Sequence, residues 1–351
     1  IEELPEIALA YGKKALLVTT PASVPALEAQ YERVKKLLSD KGIELVHFDG
    51  VVPNPTVASI SAGAKMARDS GAELVIGLGG GSSMDSAKAI SVEATHPGSS
   101  WDYLFYKNQP DAEKLLPVIA VSTTSGTGSQ VTQVAVITNP DVRDKSALYN
   151  NILYPQVCII DPELMTSVPN FVTACTGFDV FCHAFESLIH PGNSAYVNMM
   201  AWQAIGLVVE NLPRLMRNLD NVRFREKMAW ADTLAGLCIA NAGVTLPHGM
   251  GMAIGGMYPH VAHGEGLAIL YPAFAEFTQS HAVQKFAQMA RIMNPKLNKV
   301  TDEEAAAKSP AEITKFLEKI GLNKKLSDVN VPEEELEALA VQCMVLPDYK
   351  G

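Results

Sequence analysis

Two stretches of this 351-residue chain carry residue types suited to binding a metal ion. In residues 176–187 (TGFDVFCHAFES), Asp179 and His183 stand four residues apart. Helical spacing puts that carboxylate and imidazole on one face, able to share a cation or to form a plain surface ion pair. The neighbours Phe178, Val180, Phe181 and Phe185 predict a mostly buried helix, and a buried aspartate needs a partner. In residues 245–268 (TLPHGMGMAIGGMYPHVAHGEGLA), His248, His260 and His263 lie among glycines and methionines, with Glu265 the one further charge. Hydrogen-bonded core histidines are the alternative reading. One aspartate with two or three histidines leaves an open coordination position, which a catalytic metal requires.

A second kind of chemistry is written in residues 74–88 (LVIGLGGGSSMDSAK), where a buried strand ends in three glycines before a helix opens at Ser82-Ser83. Glycines allow a diphosphate to approach the backbone, and the first N–H groups of the helix then face the anion. The spacing differs from G-x-G-x-x-G, and a ligand-free strand-to-helix turn is the plainer use. Residues 122–129 (STTSGTGS) supply another hydroxyl-rich turn after a strand. Two such turns beyond neighbouring strands suit a dinucleotide at the carboxyl edge of a sheet, although an ordinary Ser/Thr turn would read the same.

The elements that must position these groups change character midway. Strands are expected at 15–20, 44–48, 73–78, 118–122 and 157–160, with helices at 24–38, 56–70 and 82–93 between them. That alternation implies a doubly wound, mostly parallel sheet. Beyond Asp161-Pro162 the pattern is helical: 173–189, 195–215, 223–241 and 282–292, then a capping box at Ser309-Pro310-Ala311-Glu312 and a further start after Val331-Pro332. The expected division is an α/β dinucleotide-binding domain over 1–163 and an all-helical metal-binding and substrate domain over 164–351, with the boundary near residues 161–167.

The formal net charge is −10 and the pI about 5.3, which disfavours nucleic acid and anionic lipid as partners. No apolar run approaches the ~18 residues a membrane helix needs, and three glutamates in the first ten residues argue against a secretory signal in the chain as given. The five cysteines (158, 175, 182, 238 and 343) lack C-x-x-C spacing and read as reduced core thiols of a cytoplasmic protein.

Together, GGGSSMDSAK at 79–88, TTSGTGSQVT at 123–132, DPELMTSVP at 161–169, TACTGFDVFCHAFES at 173–187 and the His248 and His263-Gly264 region resemble the iron-containing (group III) alcohol dehydrogenase family. The resemblance covers essentially the whole chain in order. It implies a fold similar to dehydroquinate synthase, with the site in the cleft between an α/β and an all-helical domain. It places four metal ligands on Asp179, His183, His248 and His263, for Fe²⁺ or, with similar ligands, Zn²⁺. It places Gly80, Gly81 and Ser82 at the diphosphate, Asp85 near the cofactor, and Thr123, Thr124, Thr127 and Lys145 along it. A homodimer or larger homo-oligomer is also implied.

The chain departs from the family pattern in four respects. The spacing from His248 to His263 is one residue longer than usual, which keeps His260 as the substitute ligand. Met252 stands where many members carry a relay histidine, leaving His260, a water or a ribose hydroxyl for the relay. Thr20 replaces the aspartate that follows the first strand in NAD-preferring members, so NADP as well as NAD is admissible. The family's opening strand would precede residues 4–8, and the end at 347–351 is abrupt, so a longer parent protein is expected.

The reaction implied is hydride transfer between a nicotinamide and a small alcohol or aldehyde held on the metal. The aromatic and sulfur side chains of Phe178, Phe181, Phe185, Met252, Met257 and Tyr258 would give a partly apolar cleft, or else belong to the core. A dehydroquinate synthase-like lyase would need several basic residues at its phosphorylated substrate, and 173–190 and 245–270 contain no Lys or Arg. A glycerol-type dehydrogenase or transhydrogenase of the same superfamily is a second alternative, and a non-catalytic nucleotide-binding protein a third.

Overall fold

A computed structural model describes residues 1–344, so the chain end at 347–351 lies outside the described residues. Two compact units emerge. The first holds residues 1–124 and 128–167; the second holds Ser125–Thr127 and the described chain from Val168 onward.

In the first unit the elements are α1 (Leu4–Leu9), β1 (Lys14–Val18), α2 (Pro25–Asp40), β2 (Glu44–Phe48), α3 (Val57–Ser70), β3 (Leu74–Gly79), α4 (Gly81–Thr95), β4 (Val118–Ser122), β5 (Val134–Asn139), β6 (Asp144–Tyr149) and β7 (Val157–Ile160). Local chemistry sets the boundaries. Pro25 fits the first turn of α2, where no backbone donor is needed. Thr56 caps α3 by accepting from the Ser59 N–H, and Gly71 closes it in the left-handed conformation.

Five strands form a parallel sheet in the order β2-β1-β3-β4-β7. Ala15 pairs with Leu45 on one side and Leu74 on the other, and Ser122 lies between Gly79 and Ile160. Successive strands run outward in opposite directions from the β1/β3 boundary, so that boundary is the switch point where parallel sheets bind ligands beyond the strands' carboxyl ends. Helix α4 is buried on nearly every face, and the antiparallel hairpin β5–β6 packs with it. The ammonium of Lys88 on α4 donates to the carbonyls of Ser129, Thr132 and Val134 at 2.7–2.8 Å. A buried cation satisfied in this way ties the segment after β4 to the helix. The hairpin has no counterpart among the expected strands.

The second unit contains α5 (Asn170–Ile189), α6 (Ala195–Leu215), α7 (Val222–Asn241), α8 (Leu246–Met257), α9 (His263–Thr278), α10 (Val283–Met293), α11 (Asp302–Ala307), α12 (Ser309–Ile320) and α13 (Leu336–Cys343). Its core surrounds α5. Phe178, Phe181 and Phe185 have no exposed surface, and Phe181 stacks with both of the others at ring separations of 5.6 and 6.2 Å. These three side chains are therefore core and line no substrate space. Met257 and Tyr258 pack in a smaller cluster with Val331 and Leu339.

The expected capping box at Ser309 does not form. Helices α11 and α12 are separated by Lys308 alone, so the Ser309 hydroxyl turns back to the Ala306 carbonyl, and Glu312 accepts from Asn294 and Lys315. The box stands eight residues earlier, between Thr301 and Glu304. All five cysteines are free, four of them buried and Cys158 half-buried. Among the described residues, no single helix is long and apolar enough to cross a membrane.

Candidate active site

Helix α5 carries Asp179 and His183 one turn apart, and both are buried. Its start is fixed by Arg225 of α7, whose guanidinium donates to the Val168 carbonyl and the Thr173 hydroxyl. His248 sits in the first turn of α8 and His263 opens α9. The glycine-rich segment 245–268, not among the expected helices, holds α8, a short turn and the start of α9. Both helices contain several glycines, and both are held by burial of an apolar face.

The four candidate ligands converge on one oxygen. Asp179 Oδ1 lies 3.3 Å from His248 Nε2, 3.6 Å from His183 Nε2 and 4.0 Å from His263 Nε2. Ligand atoms of Asp179, His248 and His263 all fall within 4.8 Å of one another, while His183 stands outside that mutual distance. The His183 and His248 rings stack at 4.5 Å. Three neutral or partly charged imidazoles around one carboxylate, with Asp179 Oδ1 and His248 Nε2 lacking a hydrogen-bond partner in the chain, fit a divalent ion with nitrogen and oxygen ligands. His260 does not join them. It is exposed, and its Nε2 hydrogen-bonds the Val329 carbonyl at 2.9 Å.

The site is strongly polarised. Burial pushes the Asp179 carboxyl upward, but His183, His248 and His263 outweigh it and hold the group well below the usual carboxylate range. Burial lowers His183 to about 4 against the pull of Asp179. Burial would also lower His248, yet Glu186 and Asp179 raise it to about 10. That upward shift favours a protonated His248 at neutral pH, so an ion taking its Nε2 as a ligand would have to displace a proton. His183 offers no such competition above its own range. We expect metal affinity to rise about tenfold per pH unit between pH 6 and 9, with one proton released per ion. Calorimetry in buffers of different ionisation enthalpy would measure this, and a pH-independent affinity would contradict it.

Glu186 was missed in the sequence reading although it stands in the quoted motif. It lies on α5 seven residues after Asp179 and three after His183, fully buried in a run with no Lys or Arg in 173–190. An unpaired acid at that helical spacing was the available signal.

The residues expected to hold a dinucleotide gather at the carboxyl ends of β1, β3 and β4. Gly80 precedes α4, and a Cβ there would stand 2.9 Å from Thr124 Oγ1, so the glycine turn and the hydroxyl turn are in direct contact. Gly81 and Ser82 form the first turn of α4, whose leading N–H groups have no partner within the helix. Thr123 is buried, its N–H on the Gly79 carbonyl. Thr20 shares a hydrogen bond with the Tyr31 hydroxyl at 3.1 Å.

Two of the expected residues are engaged by the scaffold. Asp85 accepts from the Ser129 hydroxyl at 2.6 Å and the Val136 N–H at 3.0 Å. Lys145, on β6, donates to Asn54 at 2.8 Å. Thr127 lies in the 125–127 segment that groups with the helical unit, next to Gly126, whose carbonyl is 3.1 Å from His183 Nδ1.

The profile described as iron-containing alcohol dehydrogenase matches residues 1–162, and that of the C-terminal region of the Fe-containing alcohol dehydrogenase family matches residues 173–348. The 1,3-propanediol dehydrogenase of Klebsiella pneumoniae is 34% identical over 329 residues, covering 94% of this chain and 84% of that protein. The probable NADH-dependent butanol dehydrogenase 1 of Bacillus subtilis is 30% identical over 98% of this chain and 89% of its own length. A solved archaeal halo-thermophilic alcohol dehydrogenase from a Red Sea brine pool superposes with a TM-score of 0.93 at 34% identity, covering 98% of this chain and 88% of that one. The chain thus belongs to the iron-containing alcohol dehydrogenase family, and is a metal-dependent, nicotinamide-linked oxidoreductase of small alcohols and aldehydes.

Proposed function

We propose that Asp179, His183, His248 and His263 hold the divalent ion of this dehydrogenase, and that Thr20, Gly80, Gly81, Ser82, Thr123 and Thr124 line the dinucleotide. The observation that carries the reading is the convergence of three histidine Nε2 atoms on a single aspartate oxygen. In this assignment residues 1–163 serve the dinucleotide, and 164–351 supply the ion and the substrate surface.

When bound, the ion would supply Lewis acidity for a substrate oxygen and the nicotinamide would supply or take up hydride. Asp179 supplies the negative charge that draws the cation into a buried site, and the three imidazoles complete its neutral ligation. The N–H groups opening α4 bind diphosphate oxygens, while Gly80 lets the backbone come close. Asp85 and Lys145 act through the segments they tie down. His260 is not assigned the proton relay, because its Nε2 is held by Val329. Thr20 brings no carboxylate to the end of β1, which leaves both NAD and NADP as partners.

Gly80→Ala is expected to raise the KM for the dinucleotide about tenfold by displacing the Thr124 side chain, with metal content unchanged. Steady-state kinetics together with metal analysis check it. The reading as a whole is tested by following NADH and NADPH at 340 nm with short aldehydes, with and without chelator and added Fe²⁺ or Zn²⁺. Turnover indifferent to chelation would sink the ligand assignment. The free thiols further support a cytoplasmic location, and the family resemblance supports self-association, which light scattering would detect as a mass of at least two chains.

A further inference from the structure

Glu186 is completely buried, and no Lys or Arg is paired with it among the described residues. Its Oε1 lies 2.7 Å from His248 Nδ1. Its Oε2 accepts the backbone N–H of Thr245 at 2.8 Å and the Thr245 hydroxyl at 3.3 Å. Thr245 is the residue that precedes α8, and His248 is in that helix's first turn. Threonine before a helix ordinarily turns its hydroxyl onto its own first turn; here it makes no such cap and gives the hydroxyl to Glu186. One carboxylate therefore grips both the start of α8 and the ring that α8 presents.

We propose that Glu186 is the positioning residue of the metal site: it fixes the proton of His248 on Nδ1, aims Nε2 at the ion, and anchors α8 at the matching height. The proposal rests on the metal-ligand reading above. The same construction recurs at His183, whose Nδ1 lies 3.1 Å from the Gly126 carbonyl while its Nε2 faces Asp179. In both rings the nitrogen away from the ion is committed to an acceptor, which leaves only Nε2 to coordinate. At His248 that acceptor is charged and also serves a second element, so its loss cannot be repaired by a ring flip.

Replacement by glutamine exposes the dependence. A carboxylate offers acceptors to two donors, whereas an amide offers one acceptor and one donor group. If the amide oxygen serves Thr245, its NH₂ faces Nδ1 and forces the ring proton onto Nε2, the nitrogen the ion needs. If the oxygen serves His248, the NH₂ meets the Thr245 N–H and the start of α8 loosens. Either arrangement weakens coordination, although size and shape are kept.

The test uses the full chain loaded with Zn²⁺, which is diamagnetic. Long-range ¹H–¹⁵N spectra of histidine-labelled wild type should show His248 protonated at Nδ1 and coordinated through Nε2, assigned by its loss in His248→Gln. Coordination through Nδ1, or a protonated Nε2, overturns the proposal without any variant at Glu186. Chelator competition should then give E186Q a zinc affinity about 10–100-fold weaker than wild type, and an affinity equal to wild type overturns it. Asp179→Ala in the same assay separates the two ideas. If it loses zinc while E186Q retains wild-type affinity, the ligand reading stands and the positioning role falls. If the wild-type protein takes up no divalent ion, the ligand reading fails and the proposal with it.

Discussion

Asp179→Ala is expected to leave a folded protein that retains no stoichiometric metal and has lost at least about a thousandfold in kcat/KM. Three imidazole Nε2 atoms lie within 3.3–4.0 Å of one oxygen of this side chain. Removing it would delete both a proposed ligand and, among the described residues, the carboxylate on which the three imidazoles converge. A divalent cation would then sit in a buried pocket of neutral donors, without the charge that compensates its lost hydration. His248 would still be held by Glu186, so the remaining histidines keep much of their arrangement. The deficit is therefore chemical rather than a collapse of the helices. Elemental analysis of the purified variant and NADH consumption with butyraldehyde measure the two effects. Wild-type metal content would contradict the assignment directly.

The second large effect is expected at Gly264, where α9 crosses α5. A Cβ there would stand 2.1 Å from the carbonyl oxygen of Cys175 and 2.6 Å from its carbon. The obstacle is backbone inside a helix, so no side-chain rotation relieves it. In Gly264→Ala the first turn of α9 must withdraw from α5 and take His263 with it. Overpacking of this kind costs about 3 kcal/mol, which lowers the thermal midpoint by roughly 6–12 °C in a unit of this size. Zinc affinity should fall at least about tenfold as His263 leaves its place. Gly266→Ala is the control. Two residues further along the same helix, its Cβ would find nothing nearer than 3.6 Å and should change neither quantity. Equal behaviour of the two variants in calorimetry and metal titration would show that the crossing is not tight.

The parts that were legible in the sequence were those whose local signal and tertiary role agree. The parallel strands read as short apolar runs because β3 and β4 are buried on both faces. Asp179 and His183 were legible because a helix fixes their separation. The hairpin β5–β6 was missed because its burial alternates only partly and its turn, through Pro140 and Arg143, lacks the usual Asn-Gly signal. Helices α8 and α9 were hidden by glycines that lower helix propensity, yet those glycines permit the close packing that brings His248 and His263 together. Glu186 escaped because its helical spacing marks a buried acid but not its partner, His248, which lies 62 residues away. The three phenylalanines of α5 could have faced substrate or core, and only packing decides between them.

The burial of the thiols makes the protein its own reporter. Alkylating reagents reach a cysteine only when it is accessible and ionised, and Cys175 and Cys182 lie on α5 on either side of Asp179, each pushed well above its usual ionisation range by burial. Their modification must wait for α5 to open. An ion that binds only the closed form suppresses opening in proportion to its concentration over its dissociation constant. The labelling rate of these two residues, followed by mass spectrometry against metal concentration, would then give the ion's affinity at the proposed ligand helix in a protein that needs no probe attached.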